Sequence, residues 1–445
     1  MSPNNSPSSP FTPHTDDDVE TMLDAIGVSS ESELFDIPER IVFDGEFGIE
    51  QRSEQAVREE IGSMLAKNDS VTEFLGRGHY DHYQPALVDD LASRSEFLTS
   101  YTQYQPEVAQ GFLQVLFEYQ SMFAELTGLS IVNCSMYDAA SALGEAATLA
   151  TRIRSTTGQE ILVPEDMVEG RRSVLENYVR GTDLTIDEFP MKEGTVDVDF
   201  LTDNVDDETI LIYLEQPSVR GVIDPAVSAV AELAHDHDAI LTLGTDPVAL
   251  GILEAPGDLG VDVVIGDAAS LGLPVSYGTG IGLFATKEEY LRQVPGRLVG
   301  ASEDAASRRT YTLTLQTREQ HIRRERATSN ICTNQAWVGL RTAMHLAWLG
   351  PTGLVQLGID SIERAADLAD RIDDIDGIEA PIYDADHFRE FVARTELPAE
   401  QIATALAEAG FAVHVIDEHL LQFCVTETVE SQTDALVAAL KEACQ

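Results

Sequence analysis

The sequence predicts an α/β fold with a smaller α+β domain at its carboxyl end. Strand-like apolar runs alternate with helical patterns through the middle of the chain, and such alternation is typical of a largely parallel sheet covered by helices. The chain has 445 residues, which is more than a single hydrophobic core organises, so two domains are expected. After about residue 350 the alternation gives way to three helical stretches and short strands.

Four segments follow from these patterns. Residues 1–15 are rich in Ser, Pro and Asn and predict a disordered tail. Residues 16–105 contain a short acidic helix, an amphipathic stretch and a glycine-containing loop, and predict an N-terminal arm. Residues 106–350 predict the large α/β domain, and residues 351–445 predict the small α+β domain.

The clearest helix is predicted from about Pro106 to Thr127, where apolar side chains recur at helical spacing before Gly128. Strand-like runs follow it at intervals, separated by helical patterns. Such runs occupy residues 129–136, 160–164, 184–189, 209–217, 240–246, 262–267 and 280–286.

The charge balance excludes two classes of partner. The chain has 77 acidic and 28 basic residues, and its formal net charge is -49. A field of this sign repels nucleic acid phosphates and anionic membrane surfaces. No apolar run approaches the roughly 20 residues that span a bilayer, and the N-terminus does not resemble a secretion signal. We therefore expect a cytoplasmic protein.

The composition also indicates the ionic environment. The four lysines are Lys67, Lys192, Lys287 and Lys441, so arginine supplies most of the basic residues, and acidic residues are spread along the whole chain. These features resemble proteins of salt-saturated cytoplasm, where a short Debye length screens self-repulsion. The alternative is a solvated acidic face in an ordinary cell. The four cysteines show no paired spacing, so no metal site is predicted.

Two positions bear on cofactor chemistry. Asp246 follows a strand, where aminotransferase-type enzymes keep the carboxylate that pairs with the ring nitrogen of pyridoxal phosphate, although Asp before Pro is also a common turn residue. Such enzymes present a lysine after the next strand, and this chain has Ser270 and Leu271 there. Asp138 is interpreted as the N-cap of a helix that would otherwise face the cofactor phosphate. No covalently bound cofactor is predicted on this chain.

Several segments are too specific for a generic scaffold. In order and spacing, from about Ile26 to Leu354, they resemble the P-protein of the glycine cleavage system in the form that is split into two chains. The strings TREQHIRRE and SNICTNQA make the resemblance highly specific. The chain departs from the family at its tail, at Gln103 in place of a usual proline, and at GTGIG. The segments are GHYDHYQP (78–85), YTQYQPEVAQGFLQVLFEYQ (101–120), ASLGLPVSYG (269–278), VPGRLVG (294–300) and residues 315–336.

The resemblance implies an aminotransferase-like large domain, the fold of type I pyridoxal-phosphate enzymes, and an α2β2 enzyme in which this chain is subunit 1. Subunit 2 would hold pyridoxal phosphate, glycine would lose carbon dioxide, and the aminomethyl group would pass to the lipoyl arm of the H-protein. This chain would complete the pocket and be inactive alone. The alternatives are a non-catalytic scaffold for subunit 2 and an independent pyridoxal-phosphate enzyme, which would need the missing lysine.

Polar and aromatic residues near the helix entrance are the candidates for the pocket or for contact with the partner. They either bind a small polar ligand or stabilise loops by hydrogen bonds to backbone groups. The carboxylate of Glu107 could instead stabilise the helix N-terminus. These candidates are Tyr80, His82, Tyr83, Tyr101, Tyr104, Gln105 and Glu107.

Residues 308–326 contain six arginines and two glutamates, which requires an anionic partner. That partner could be the cofactor phosphate of subunit 2, the glycine carboxylate or the H-protein. Ion pairs at the subunit interface are the interpretation that we favour, because arginine is enriched at interfaces. The candidates are Arg318, His321, Arg323 and Arg324.

Overall fold

A computed structural model of the protein describes residues 14–445 with several gaps. The gaps are residues 36, 44, 46–47, 69, 99–102, 154–157, 276–278, 316–319, 328 and 333–334. For residues 39, 320, 321 and 326 it describes the backbone alone. The chain forms two compact units, Met1–Asp69 and Ser70–Gln445. The first unit contains helices α1 (Asp16–Ile26) and α2 (Glu54–Leu65). Helix α1 begins after the N-cap Thr15 and ends at Gly27 with φ 78°, so the short acidic helix predicted there is confirmed.

A seven-stranded sheet organises the second unit. Its order is β2–β10–β9–β8–β7–β3–β4, and every neighbouring pair is parallel except the two that involve β10. The predicted, largely parallel α/β sheet is therefore confirmed. Its strands are β2 (Ile131–Val132), β3 (Glu160–Pro164), β4 (Thr185–Phe189), β7 (Thr209–Gln216), β8 (Ile240–Thr245), β9 (Val263–Asp267) and β10 (Gly282–Thr286).

Helices cover both faces of this sheet. Side chains of β7 alternate between two hydrophobic clusters, since Ile212 and Leu214 belong to one and Leu211 and Tyr213 to the other. Helix α5 begins at Gln110 and not at Pro106, because the preceding residues form a separate turn. The helices of this region are α3 (Ala86–Ala92), α4 (Ser95–Leu98), α5 (Gln110–Thr127), α6 (Ala139–Ile153), α7 (Glu169–Val179), α8 (Val198–Asn204), α9 (Val227–Asp236) and α10 (Gln320–Arg323).

A kinked helix leads into the C-terminal part. Helix α11 (Ala336–Asp373) is interrupted at Gly350, where φ is 60° and ψ is 178°, directly before Pro351. A four-stranded sheet follows, with the order β13–β14–β17–β16. Phe74, which lies within the predicted N-terminal arm of residues 16–105, packs in the core of this part. Its elements are β13 (Ile378–Glu379), β14 (Glu390–Thr395), α12 (Ala399–Glu408), β16 (His414–Asp417), β17 (Leu420–Cys424) and α13 (Thr433–Ala443).

Short strand pairs complete the fold. They are β1 (Thr72–Glu73) with β15 (Phe411–Ala412), β5 (Met191–Lys192) with β6 (Thr195–Val196), and β11 (Leu298–Glu303) with β12 (Arg309–Thr314). Among the residues described, no helix is both long enough and apolar enough to cross a membrane.

Candidate functional site

Two neighbouring spaces lie at the carboxyl ends of β7, β8 and β9, the sheet edge where α/β proteins bind ligands. We call the larger one the outer cavity; it has a volume of about 280 Å³, and its wall includes Asp138, Arg171, Asp267 and Ser270. We call the smaller one the inner space; it has about 40 Å³ and lies at Asp246. A water molecule takes about 30 Å³ of liquid, so the inner space holds about one.

Arg389 lines the inner space. Its guanidinium donates a hydrogen bond to Asp246 and lies 3.7 Å from the centre of the Tyr80 ring. Only 1% of Arg389 is exposed to solvent. Burial lowers the pKa of Arg389, but Asp246 together with the neighbouring Tyr80 and Cys424 raises it overall. The carboxylate at the end of β8 is therefore neutralised by an arginine of the same chain.

The same guanidinium reaches His82. Arg389 Nη1 lies 2.8 Å from His82 Nε2, and His82 Nδ1 lies 3.0 Å from Glu427. An arginine can only donate, so Nε2 accepts and the proton of the imidazole is on Nδ1, from which it is donated to Glu427. Burial would raise the pKa of Glu427, but the hydrogen bond and charge of His82 together with backbone N–H donors lower it to about 2. Four side chains thus form one paired chain from Asp246 to Glu427.

Tyr80 is held by a buried carboxyl group. Its hydroxyl donates to Glu390 over 2.6 Å, and the same carboxyl accepts from the backbone N–H of Arg77 over 2.9 Å and from Gln422 over 2.7 Å. Gly76 must be glycine, since φ is 69° and a Cβ would overlap the Glu390 carboxyl. Burial raises the pKa of Glu390 to about 7 in spite of these donors.

Arg171 of α7 lies on the wall that both spaces share. Its Nη1 donates to the hydroxyl of Tyr213, over 2.7 Å, and to Glu215. Tyr213 in turn donates to Glu215 over 2.8 Å. Its Nε and Nη2 have no hydrogen-bond partner within the part of the chain that the structure describes.

Two carboxylates occupy the start of α6. Asp138 Oδ1 accepts from Ser141 N over 2.6 Å, which confirms the predicted N-cap, and Asp267 Oδ1 accepts from Ala139 N over 2.9 Å. Burial raises the pKa of Asp267, and the charge of Arg171 opposes this shift. The helix amides that could have bound a phosphate are already bonded to acidic side chains.

No lysine lines either space among the described residues. Ser270 lies in the turn after β9, and its hydroxyl is buried without a described partner. Lys192 lies in β5, Lys287 binds Asp262, and Lys441 lies in α13.

The sequence-predicted pocket residues separate in the structure. Tyr80 lines both spaces and His82 is buried behind the inner one, whereas Tyr83 is 60% exposed and bonds Glu427 through its backbone. Tyr104 lies elsewhere, where its hydroxyl accepts from buried Arg297 over 2.8 Å. Gln105 and Glu107 are exposed and line neither space, and Tyr101 lies outside the described residues.

The predicted arginine-rich segment is only partly described. Arg323 and Arg324 are exposed, in α10 and in the turn after it. Arg318 and the side chain of His321 lie outside the described residues. Upstream, Arg308 pairs with Asp304, so this guanidinium has a partner on its own chain.

Sequence reasoning missed the residues that fill the site. Arg389 precedes β14 and Glu390 is its first residue, and two charged residues directly before the apolar run FVA are a signal that could have identified them. Arg171 sits in GRRS, which resembles any exposed helix start, so nothing local distinguished it. Arg77 and Glu427 likewise carry no local signal.

Comparisons with known proteins identify the family to which this chain is similar. Residues 9–440 match the family described as glycine cleavage system P-protein. A relative from Halobacterium salinarum, named probable glycine dehydrogenase (decarboxylating) subunit 1, is 56% identical over 98% of this chain and 99% of its own. A solved glycine decarboxylase (P-protein) of the glycine cleavage system, in inhibitor-bound form, is 38% identical, with a TM-score of 0.89 over 98% of this chain and 100% of that one.

A more distant structure bears on the fold alone. A sphingosine-1-phosphate lyase from Burkholderia pseudomallei is 15% identical and superimposes with a TM-score of 0.65 over 90% of this chain and 92% of its own. The predicted aminotransferase-like fold, that of type I pyridoxal-phosphate enzymes, is confirmed. With the family matched over nearly its whole length, the chain belongs to the glycine cleavage system P-protein family.

Proposed function

We propose that this chain is subunit 1 of a glycine dehydrogenase (decarboxylating), and that pyridoxal phosphate and the reacting glycine are held by subunit 2. When bound there, the cofactor supplies an electron sink for the loss of carbon dioxide, and the aminomethyl group passes to the lipoyl arm of the H-protein. This chain would bind subunit 2 and close the pocket around the ligands. Relatives named subunit 1 support the existence of such a partner.

The pairing of Asp246 with Arg389 is the observation that carries the assignment of the cofactor to subunit 2. The cofactor ring would need this carboxylate at its nitrogen and more room than about 40 Å³. Ser270 stands where a Schiff-base lysine is required, and Asp138 would repel the cofactor phosphate. The residues of this chain therefore do not fit pyridoxal phosphate.

Reconstitution tests this proposal. We expect the purified chain alone to give no exchange of labelled carbon dioxide into glycine, and the complex with subunit 2 to exchange it when lipoylated H-protein is added. Exchange by this chain alone, or exchange by subunit 2 at the full rate without this chain, would contradict the proposal.

A second experiment separates a pocket-forming subunit from a scaffold. Tyr83→Ala and Glu107→Ala remove exposed side chains near the predicted helix entrance, and Glu118→Ala removes an exposed carboxylate of α5 as the control. If this chain contributes side chains to the pocket, at least one of the first two variants lowers the exchange rate in an assembled complex while Glu118→Ala does not. Unchanged exchange in both would favour the scaffold.

A further inference from the structure

The lining of the outer cavity contains acidic and basic side chains whose hydrogen-bonding atoms are only partly used within the protein. One wall carries Asp138 and Asp267, and each uses a single carboxylate oxygen to accept a backbone N–H at the start of α6. Neither second oxygen has a hydrogen-bond partner within the residues that the structure describes. An ammonium group is the complementary ligand for two such oxygens.

The lining of the same cavity includes Arg171, whose Nε and Nη2 have no described partner after Nη1 has bonded Tyr213 and Glu215. Gly78 faces this guanidinium with φ 92°, and a Cβ there would lie 3.5 Å from Nη2. The glycine thus leaves the guanidinium accessible. Free N–H groups of an arginine recognise a carboxylate.

We propose that the outer cavity binds a small α-amino acid in its zwitterionic form, with the ammonium at Asp138 and Asp267 and the carboxylate at Arg171. The volume of about 280 Å³ corresponds to about nine water molecules, so a small amino acid fits together with several waters. A phosphate does not suit the site because both helix-start carboxylates would repel it. A plain amine would leave the guanidinium unsatisfied.

The choice of glycine as the ligand to test rests on the proposed function, whereas the charge pattern does not. This site would be separate from the glycine that reacts on the cofactor of subunit 2. It would give this chain a means of sensing the substrate concentration without taking part in the chemistry.

Calorimetric titration of the purified full-length chain, without subunit 2, tests the proposal. Glycine is expected to bind saturably, while methylamine, acetate and inorganic phosphate, at the same concentrations, are not. The variant carrying Asp138→Asn and Asp267→Asn keeps the backbone acceptors, and loss of the charged contacts should raise its Kd for glycine about tenfold or more. Asp183→Asn with Asp187→Asn, both exposed around β4, is the matched control and should leave the Kd unchanged.

If the double variant fails to fold, the titrations of the unaltered chain with glycine, methylamine, acetate and phosphate still test the proposal. Absence of glycine binding, equal binding of glycine by the cavity variant, or equal binding of methylamine or acetate would overturn the proposal. Exchange by the complex is measured in parallel. An active complex whose subunit 1 binds no glycine would refute the second site and leave the proposed function intact.

Discussion

The inner space and the outer cavity adjoin each other, yet they differ in how their charged side chains are paired. At the inner space successive hydrogen bonds join Asp246, Arg389, His82 and Glu427, although Arg389 Nε has no partner among the described residues. In the outer cavity, Asp138 and Asp267 keep oxygens without a described partner. Buried charges are stable only when they are paired. Each of these four side chains of the inner space has another side chain as its partner, whereas Asp138 and Asp267 bond only backbone N–H groups of the described residues and can accept a ligand.

This contrast shows how a chain with the fold of type I pyridoxal-phosphate enzymes accommodates an arginine beside Asp246. Arg389, which directly precedes β14, contacts both Tyr80 and His82 and so links the loop that carries them to the C-terminal part. Four variants test the contrast.

Arg389→Ala should have the largest effect. It leaves Asp246 buried without its partner and removes the donor to His82, and breaking a buried pair in this way costs about 3–5 kcal/mol. The free energy of unfolding, measured in denaturant, gives the loss. Arg394→Ala, five residues further along the chain in β14, is the control, because its pair with Glu379 is exposed and worth about 0–1 kcal/mol. Equal losses in the two variants would show that the inner space is not a tightly paired core.

Glu390→Gln should change how stability depends on pH. Burial raises the pKa of Glu390 from its usual 4.5 to about 7, so the folded protein keeps this proton to a higher pH than the unfolded chain does. The stability that the group contributes is present below about pH 4.5 and is lost as the pH rises to about 7. The free energy of unfolding of the variant, minus that of the wild type, should rise by roughly 3 kcal/mol over this range. If the difference in the free energy of unfolding does not change with pH, the pKa of Glu390 is not raised in the folded protein.

Tyr104→Phe should weaken folding without touching either space. Buried Arg297 donates to the Tyr104 hydroxyl, and loss of an acceptor for a charged donor costs about 1–3 kcal/mol. Unfolding in denaturant measures the loss, and glycine titration of the chain should be unaffected. Weaker glycine binding at unchanged stability would instead place Tyr104 in the ligand site.

Tyr83→Ala should have the smallest effect on the isolated chain. The ring is 60% exposed, and the bond to Glu427 is made by the backbone, so the free energy of unfolding should change by no more than about 0.5 kcal/mol. A thermal melt of the variant beside the wild type measures it. A loss of several kcal/mol would mean that the ring packs where the structure leaves it open.

Local sequence patterns were enough for the fold and for part of the site. The alternation of strands and helices predicted the sheet, and the position of Asp138 before a helical run predicted its N-cap. The loop containing Tyr80 was chosen for its residue types. These features depend on residues within a few positions of one another, and such signals survive in a single sequence.

The charge pairs could not be predicted in this way. Arg389 and Asp246 are 143 positions apart, and His82 and Glu427 are 345 apart, so only the folded chain brings them together. Tyr104 illustrates the reverse case. It shares a segment with other polar residues, but its hydroxyl is committed to Arg297, and no local pattern distinguishes a ligand-binding tyrosine from a structural one.

Trapping of the cofactor tests the central claim most directly. The assembled complex is loaded with pyridoxal phosphate and reduced with borohydride, and the modified lysines of both chains are identified by mass spectrometry. We predict one stoichiometric modification, on subunit 2, with Arg389 still paired with Asp246 in this chain. A stoichiometric and saturable modification on any of the four lysines of this chain would contradict the account.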